Sequence, residues 1–226
     1  MTSLITLNDP RSRAAEAFQS LRTNLEFSGL SKDLRSVLLA SADSGSGKGV
    51  SEASLAVANL AVTFAQAGDK VIVVDGNMRR AQQHEIFGLA NARGLSTWLG
   101  EAAGPNATAL PGLLQKTQVE GLSLLAAGPA PANPVALLSA RRLTDALAAL
   151  TAQATWVLVD APPVLAVTDA ALWASKVDGV VLLLSAGNTR RDHAQRAKDV
   201  LEKVQGHMVG AVLLNADRDA VAGYGG

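Results

Sequence analysis

Ser36-Val37-Leu38-Leu39-Ala40-Ser41-Ala42-Asp43-Ser44-Gly45-Ser46-Gly47-Lys48-Gly49 is an apolar run that breaks into a glycine-rich turn and meets a lysine. The pattern reads as a strand followed by a phosphate-binding loop. Glycine carries no Cβ, so Gly45, Gly47 and Gly49 let the backbone take positive φ and turn successive N–H groups, including that of Ser46, toward one anion. The helix after such a loop adds its positive N-terminal end, and Lys48 adds a full charge. The stretch departs from the complete G-x-x-x-x-G-K-[S/T] motif at both ends: Ala42 stands for the first glycine, and Gly49 for the hydroxyl residue that faces Mg²⁺. Taken alone it is equally a plain strand-to-helix turn, for which glycine is the default residue.

Working outward, Ser51 can cap a helix that runs to residue 67, apolar nearly all round, and Gly68 ends it. Val71-Ile72-Val73-Val74-Asp75 follows as a β-branched run without alternation, the mark of a strand buried on both faces. Strand, loop, helix and strand make a βαβ unit. Upstream, Asp9-Pro10 can start an amphipathic helix to about residue 27, with Ala14, Ala17, Phe18, Leu21 and Leu25 at helical spacing. Downstream, residues 78–134 read as irregular lid and surface, with short helical pieces at 84–87 and 95–99. A helix over 141–152, a strand over 156–160 stopped by Pro162-Pro163, a strand over 180–184, a helix over 190–204 and a strand over 209–214 complete the order. Such alternation predicts a doubly wound α/β fold, mostly parallel, with helices on both faces of one sheet. We expect a single domain over 1–226, with an N-terminal helical segment in 1–30 and a flexible glycine-rich tail in 216–226.

The composition narrows the function. Lys plus Arg and Asp plus Glu are 20 each, so no net field draws the chain to nucleic acid or to an anionic bilayer. There is no cysteine, hence no disulfide framework and no thiolate metal site. No apolar run reaches spanning length, and the first residues do not read as a leader, so the expectation is a cytoplasmic, soluble protein. In open α/β sheets ligands bind at the carboxyl ends of the strands. The glycine loop, Asp75, Asp160 and Asn215 all follow strand ends, so one crevice can hold them, although a lone aspartate there is more often a turn former. His84, His193 and His207 share no metal-ligand spacing, and Trp98, Trp156 and Trp173 read as core. The basic residues of 190–204 are interleaved with Asp192, Asp199 and Glu202, as on a solvated face.

Several ordered motifs resemble one family, the bacterial tyrosine kinases of capsule and exopolysaccharide synthesis, within the MinD/ParA-like P-loop ATPases. They are Glu16-Ala17-Phe18-Gln19-Ser20-Leu21-Arg22-Thr23-Asn24, the approach to Lys48, Asn59-Leu60-Ala61-Val62, Asp75-Gly76-Asn77-Met78-Arg79-Arg80 and Val159-Asp160-Ala161-Pro162-Pro163 with Thr168-Asp169-Ala170. The resemblance implies that Lys48 and the amides of Gly45, Ser46, Gly47 and Gly49 hold ATP or ADP; Asn215, from its place after a strand end, is expected in the same nucleotide site. It implies Asp75 and Asp160 as the Mg²⁺-side carboxylates, with Asp75 the base for a tyrosine hydroxyl. It further implies self-association through the first helix, and a membrane-bound polysaccharide co-polymerase as activator that would bring the chain to the inner face of the membrane. Tyr224, the only tyrosine, is the phosphoacceptor so implied.

The departures fall on catalytic parts. Gly49 and Asn77 remove a hydroxyl and a carboxylate from the Mg²⁺ site, which is thereby weakened, and Gln19 stands where the self-association motif has arginine, so any homo-oligomer is weak. Extra residues lie between Lys48 and Leu55; counted back from Asn59, the lysine and serine places fall on Ala53 and Ser54. About five residues inserted inside a helix would turn its face by about 500°, roughly 140° out of phase, so the insertion belongs in the loop. An active autokinase and a docking pseudokinase without phosphotransfer both remain open, with a ParA/MinD-type ATPase behind them. A dinucleotide oxidoreductase comes last, since its third glycine falls at Val50.

Overall fold

Runs that are apolar on both faces need a helical layer on each side, and the chain supplies both. A computed structural model describes residues 4–29, 33–44, 49–101 and 106–216. Its strands are β1 (Ser36–Ser41), β2 (Val71–Asp75), β3 (Gln115–Lys116), β4 (Leu122–Leu125), β5 (Trp156–Asp160), β6 (Gly179–Ser185) and β7 (Met208–Leu214). They form one sheet in the order β3-β4-β2-β5-β1-β6-β7, parallel throughout except for the β3–β4 pair. The helices are α1 (Ile5–Asn8), α2 (Arg13–Gly29), α3 (Glu52–Gln66), α4 (Gln83–Phe87), α5 (Leu95–Leu99), α6 (Pro134–Leu137), α7 (Ala140–Thr151), α8 (Asp169–Ala174) and α9 (Arg191–Lys203).

Each strand sends alternate side chains into two cores. Leu38, Ile72, Val157 and Leu182 meet Trp98 of α5, Leu147 of α7, Trp173 of α8 and Leu201 of α9. On the opposite face Val37, Val73 and Leu158 meet Leu25 of α2, Leu60 and Phe64 of α3 and Phe87 of α4. Helix α3 lies between the sheet and α2, which is why its sequence is apolar nearly all round. All three tryptophans are buried, as read, and Trp156 packs on Phe64 with ring centroids 4.5 Å apart. Gly68, at φ +98, ends α3 in the left-handed conformation that glycine takes without strain.

Three expectations need correction. The first helix does not start at Asp9: α1 precedes it, Asp9 closes α1 through its N–H to Ile5 O, and the Ser12 hydroxyl accepts the Ala15 N–H at the start of α2. The segment 78–134 is not only lid and surface. It contributes β4, paired along β2 through Val71↔Leu122 to Val74↔Leu125, and the buried side chains of α5. A helix also follows β5, since α8 carries Asp169 and the buried Trp173.

Candidate active site

Parallel pairing places the ends of β2 and β5 side by side, with Asp75 in register with Asp160. Both carboxylates are buried. Asp75 Oδ2 accepts the main-chain N–H groups of Gln82 (2.9 Å) and Gln83 (3.0 Å), at the start of α4. The Gln83 side chain, itself 0 % exposed, donates Nε2 to Asp160 Oδ2 (2.7 Å) and to Ser54 O (2.9 Å) in the first turn of α3. Gly76 closes the corner by donating its N–H to Asp160 O at 2.8 Å. A Cβ there would lie 3.0 Å from both that oxygen and Trp173 Nε1, so only glycine fits without displacement.

Two carboxylates in one dry corner oppose each other's ionisation. Burial and the neighbouring Asp160 push Asp75 up to about 8, against the lowering effect of the Gln83, Gln82 and Asn77 amides. Burial likewise pushes Asp160 up, to about 6, against hydrogen bonds from Gln83 and Ser54. Asp75 Oδ1 and Gln83 Oε1 are buried and, among the described residues, have no hydrogen-bond partner. A pair of carboxylates with a spare buried oxygen fits a hard divalent cation such as Mg²⁺, which takes oxygen ligands and keeps waters of its own. Among the described residues no cluster of three or more His, Asp or Glu offers a fuller protein cage.

The start of α3 fixes where Ser51 to Ser54 stand. Ser51 is its N-cap: its hydroxyl accepts the Ser54 N–H (3.0 Å) and donates to Ser54 Oγ (2.9 Å). The Ser54 side chain stands near enough to Asp160 to lower its pKa against the effect of burial. Ser54 stands in the first turn of α3, directly after Ala53, with its carbonyl accepting Gln83 Nε2. Gly49, at φ +98, lies before the helix, where its carbonyl accepts Gln82 Nε2 (2.9 Å) and Arg80 Nη2 (2.5 Å). Gly45, Ser46, Gly47, Lys48 and Tyr224 lie outside the described residues.

The remaining candidates scatter. Asn77 turns to its own loop, accepting the Arg80 N–H on Oδ1 at 3.1 Å. Asn215 sits at the end of β7 with φ 54, exposed, on the same edge of the sheet as the aspartates but separated from Asp160 by β1 and β6. Arg22 bonds Glu26 on its own helix. Two contacts near the loop escaped the sequence reading. His193 Nδ1 lies 2.7 Å from Asp43 Oδ2, and the Ser185 hydroxyl donates to Glu52 Oε2 at 2.7 Å, so the β6–α9 connection holds both the entry and the exit of the loop. Neither pair stands out in sequence, because the partners are 150 and 133 residues apart.

The sequence and the fold have known counterparts. The tyrosine-protein kinase YwqD of Bacillus subtilis (strain 168) is 34% identical over 93% of this chain and 85% of its own length. The chain belongs to the bacterial tyrosine-protein kinases. Among solved structures, the kinase domain of the Escherichia coli tyrosine kinase ETK superposes with a TM-score of 0.86, 28% identity, and coverage of 96% of this chain and 82% of that one. The chimerical protein CapA2B2 gives a TM-score of 0.82 at 34% identity over 94% and 89% of the two chains. The septum site-determining protein MinD of Pyrococcus horikoshii, solved with Mg-ADP, shares the fold at a TM-score of 0.63 and 22% identity, over 80% and 70%. No family model matches the chain. No described helix is long and apolar enough to cross a membrane.

Proposed function

We propose that the chain is an ATP-dependent tyrosine autokinase of capsule or exopolysaccharide synthesis, with Asp75, Asp160 and Ser54 as its cation site. The observation that carries the reading is the buried Asp75–Asp160 pair with its spare Oδ1 and the Ser54 hydroxyl in place. When bound, Mg²⁺ supplies neutralisation of the phosphate oxygens and orientation of the transferred group. The chain's own residues do the rest. Gln83 orients Asp160, and the two amides on Oδ2 leave Oδ1 of Asp75 free. The phenol oxygen of Tyr224 from another copy attacks the γ-phosphorus, the bond to the β–γ bridging oxygen breaks, ADP leaves, and the phenol proton passes to the Asp75 carboxylate. The loop amides and Lys48 hold the nucleotide phosphates in this reading, with Asn215 toward the base. A membrane-bound co-polymerase is the proposed activator, and self-association through residues 1–30 is weak because Gln19 carries no charge.

Glu52 favours a second reading, docking without phosphotransfer. Its carboxylate stands in the first turn of α3, at the helix end where phosphate would gather, and Ala53 beside it carries no charge. Incubation with labelled ATP and Mg²⁺ separates the two. Slow label on the wild type, absent in Tyr224→Phe and faster in Asn77→Asp, supports the autokinase. No label in any of them, with no heat from ADP or ATP at millimolar concentration, leaves the docking role.

A further inference from the structure

Gln83 is the one described side chain that touches the Asp160 carboxylate while its main chain holds Asp75. Its N–H donates to Asp75 Oδ2 (3.0 Å), and Nε2 spends one proton on Asp160 Oδ2 (2.7 Å) and the other on Ser54 O (2.9 Å). Both acceptors are oxygens, so the amide has one orientation: turned over, Oε1 would face a carboxylate and a carbonyl with no hydrogen between them. The residue is fully buried, and no solvent competes for these bonds.

We infer that Gln83 is a positioning residue for the divalent cation: its amide bridge to Ser54 O and Asp160 fixes the carboxylate between the strand end and α3 and thereby sets the cation affinity. The inference rests on the proposed cation site at Asp75 and Asp160. The choice of glutamine has a physical reason. A lysine or arginine here would neutralise the pair with a full charge and compete with the cation, whereas an apolar side chain would leave Asp160 Oδ2 without that donor in a dry site. A neutral donor satisfies the oxygen and leaves the negative potential for the metal. The turned-away Oε1, a buried acceptor without a described partner, belongs to the same corner and adds to that potential rather than cancelling it. The bridge also ties the β2–α4 turn to the first turn of α3, so the two elements that carry the site move together.

Mn²⁺ serves as the probe, titrated into the full chain by calorimetry and by electron paramagnetic resonance, without nucleotide and with saturating ADP. The wild type is expected to bind, and Gln83→Met, which keeps the length but has no amide, to bind about tenfold or more weakly, the cost of one charge-assisted hydrogen bond. ADP affinity measured in EDTA stays unchanged, because the amide acts on the cation. Gln83→Asn, a shorter amide that reaches one acceptor, falls between, and it carries the test if Gln83→Met does not fold. In an Asp160→Asn background Gln83→Met causes no further loss, whereas a merely structural role would weaken both backgrounds alike. Equal Mn²⁺ affinity in wild type and Gln83→Met, or equal losses in both backgrounds, overturns the positioning role while the cation site stands. No Mn²⁺ binding by the wild type overturns the cation site and this inference with it.

Discussion

Replacing Asp75 by asparagine removes one of two carboxylates that the fold forces together, and the metal-free protein should record the change as a lost pH dependence. Native Asp75 keeps its proton up to about 8, whereas the unfolded chain gives it up near the ordinary aspartate value of about 4. Between those limits the native state binds more protons than the unfolded state, so the stability present at low pH is lost as pH rises. Each pH unit in that window costs about 1.4 kcal/mol per proton, and the step from pH 5 to pH 7 costs about 3 kcal/mol. That is a large share of a net stability of about 5–15 kcal/mol. In Asp75→Asn the amide oxygen still accepts from Gln82 and Gln83, its NH₂ takes the edge of the orphaned Oδ1, and the slope from this group vanishes. Urea unfolding at pH 5, 6, 7 and 8 in EDTA should therefore show wild-type stability falling while the variant stays flatter. At pH 8 the variant should be the more stable by a few kcal/mol. Millimolar Mg²⁺ should flatten the wild-type slope and leave the variant unmoved. Parallel pH profiles for the two proteins would show that the pair is not coupled in the manner argued.

Other substitutions test the frame around the pair. Arg79 meets the fully buried Asp169 through Nε (3.0 Å) and Nη2 (3.2 Å); Arg79→Met should cost about 2 kcal/mol by urea midpoint, less than for a fully dry pair because Arg79 is 37% exposed. A change below about 0.5 kcal/mol would make that pair a surface contact in energetic terms. Gly76→Ala should lower stability by about 1–3 kcal/mol, since the new methyl meets Asp160 O, which is backbone and cannot swing away; an unchanged melting temperature would contradict the packing. Asn59 Oδ1 accepts both the N–H (3.1 Å) and the hydroxyl (2.9 Å) of Thr6, so Asn59→Ala strands two buried donors and should cost about 2–4 kcal/mol. Limited proteolysis should then cut the first dozen or so residues before the rest, and an unaltered digestion pattern would refute the docking role of that asparagine.

How much of the site is legible in the sequence follows from how far apart its parts lie. β2 and β5 announce themselves as β-branched or aromatic runs that end on a carboxylate, and their limits in the structure are those read from the residues. β4 does not: Leu122-Ser123-Leu124-Leu125 has no β-branched residue, and leucine suits a helix as well as a strand. Only pairing with β2 makes it one. For the hydroxyl of the loop two placements competed, one counted forward from the glycines to Gly49 and one counted back from Asn59 to Ser54. The helical phase argument already put the insertion before the helix, and the Ser51 cap shows where the helix begins. Gln83 carried no signal at all, being one polar residue in Ala81-Gln82-Gln83-His84. What makes it matter is the β2–β5 register. Successive side chains in a strand point to opposite faces, so a slip of one residue between β2 and β5 would offset Asp75 from Asp160 and turn one carboxylate to the other side of the sheet. Gln83 could then no longer reach one carboxylate with its main chain and the other with its side chain. The motifs name the two aspartates, but the site is a property of strand pairing between residues 85 positions apart in the chain, and no local pattern contains it.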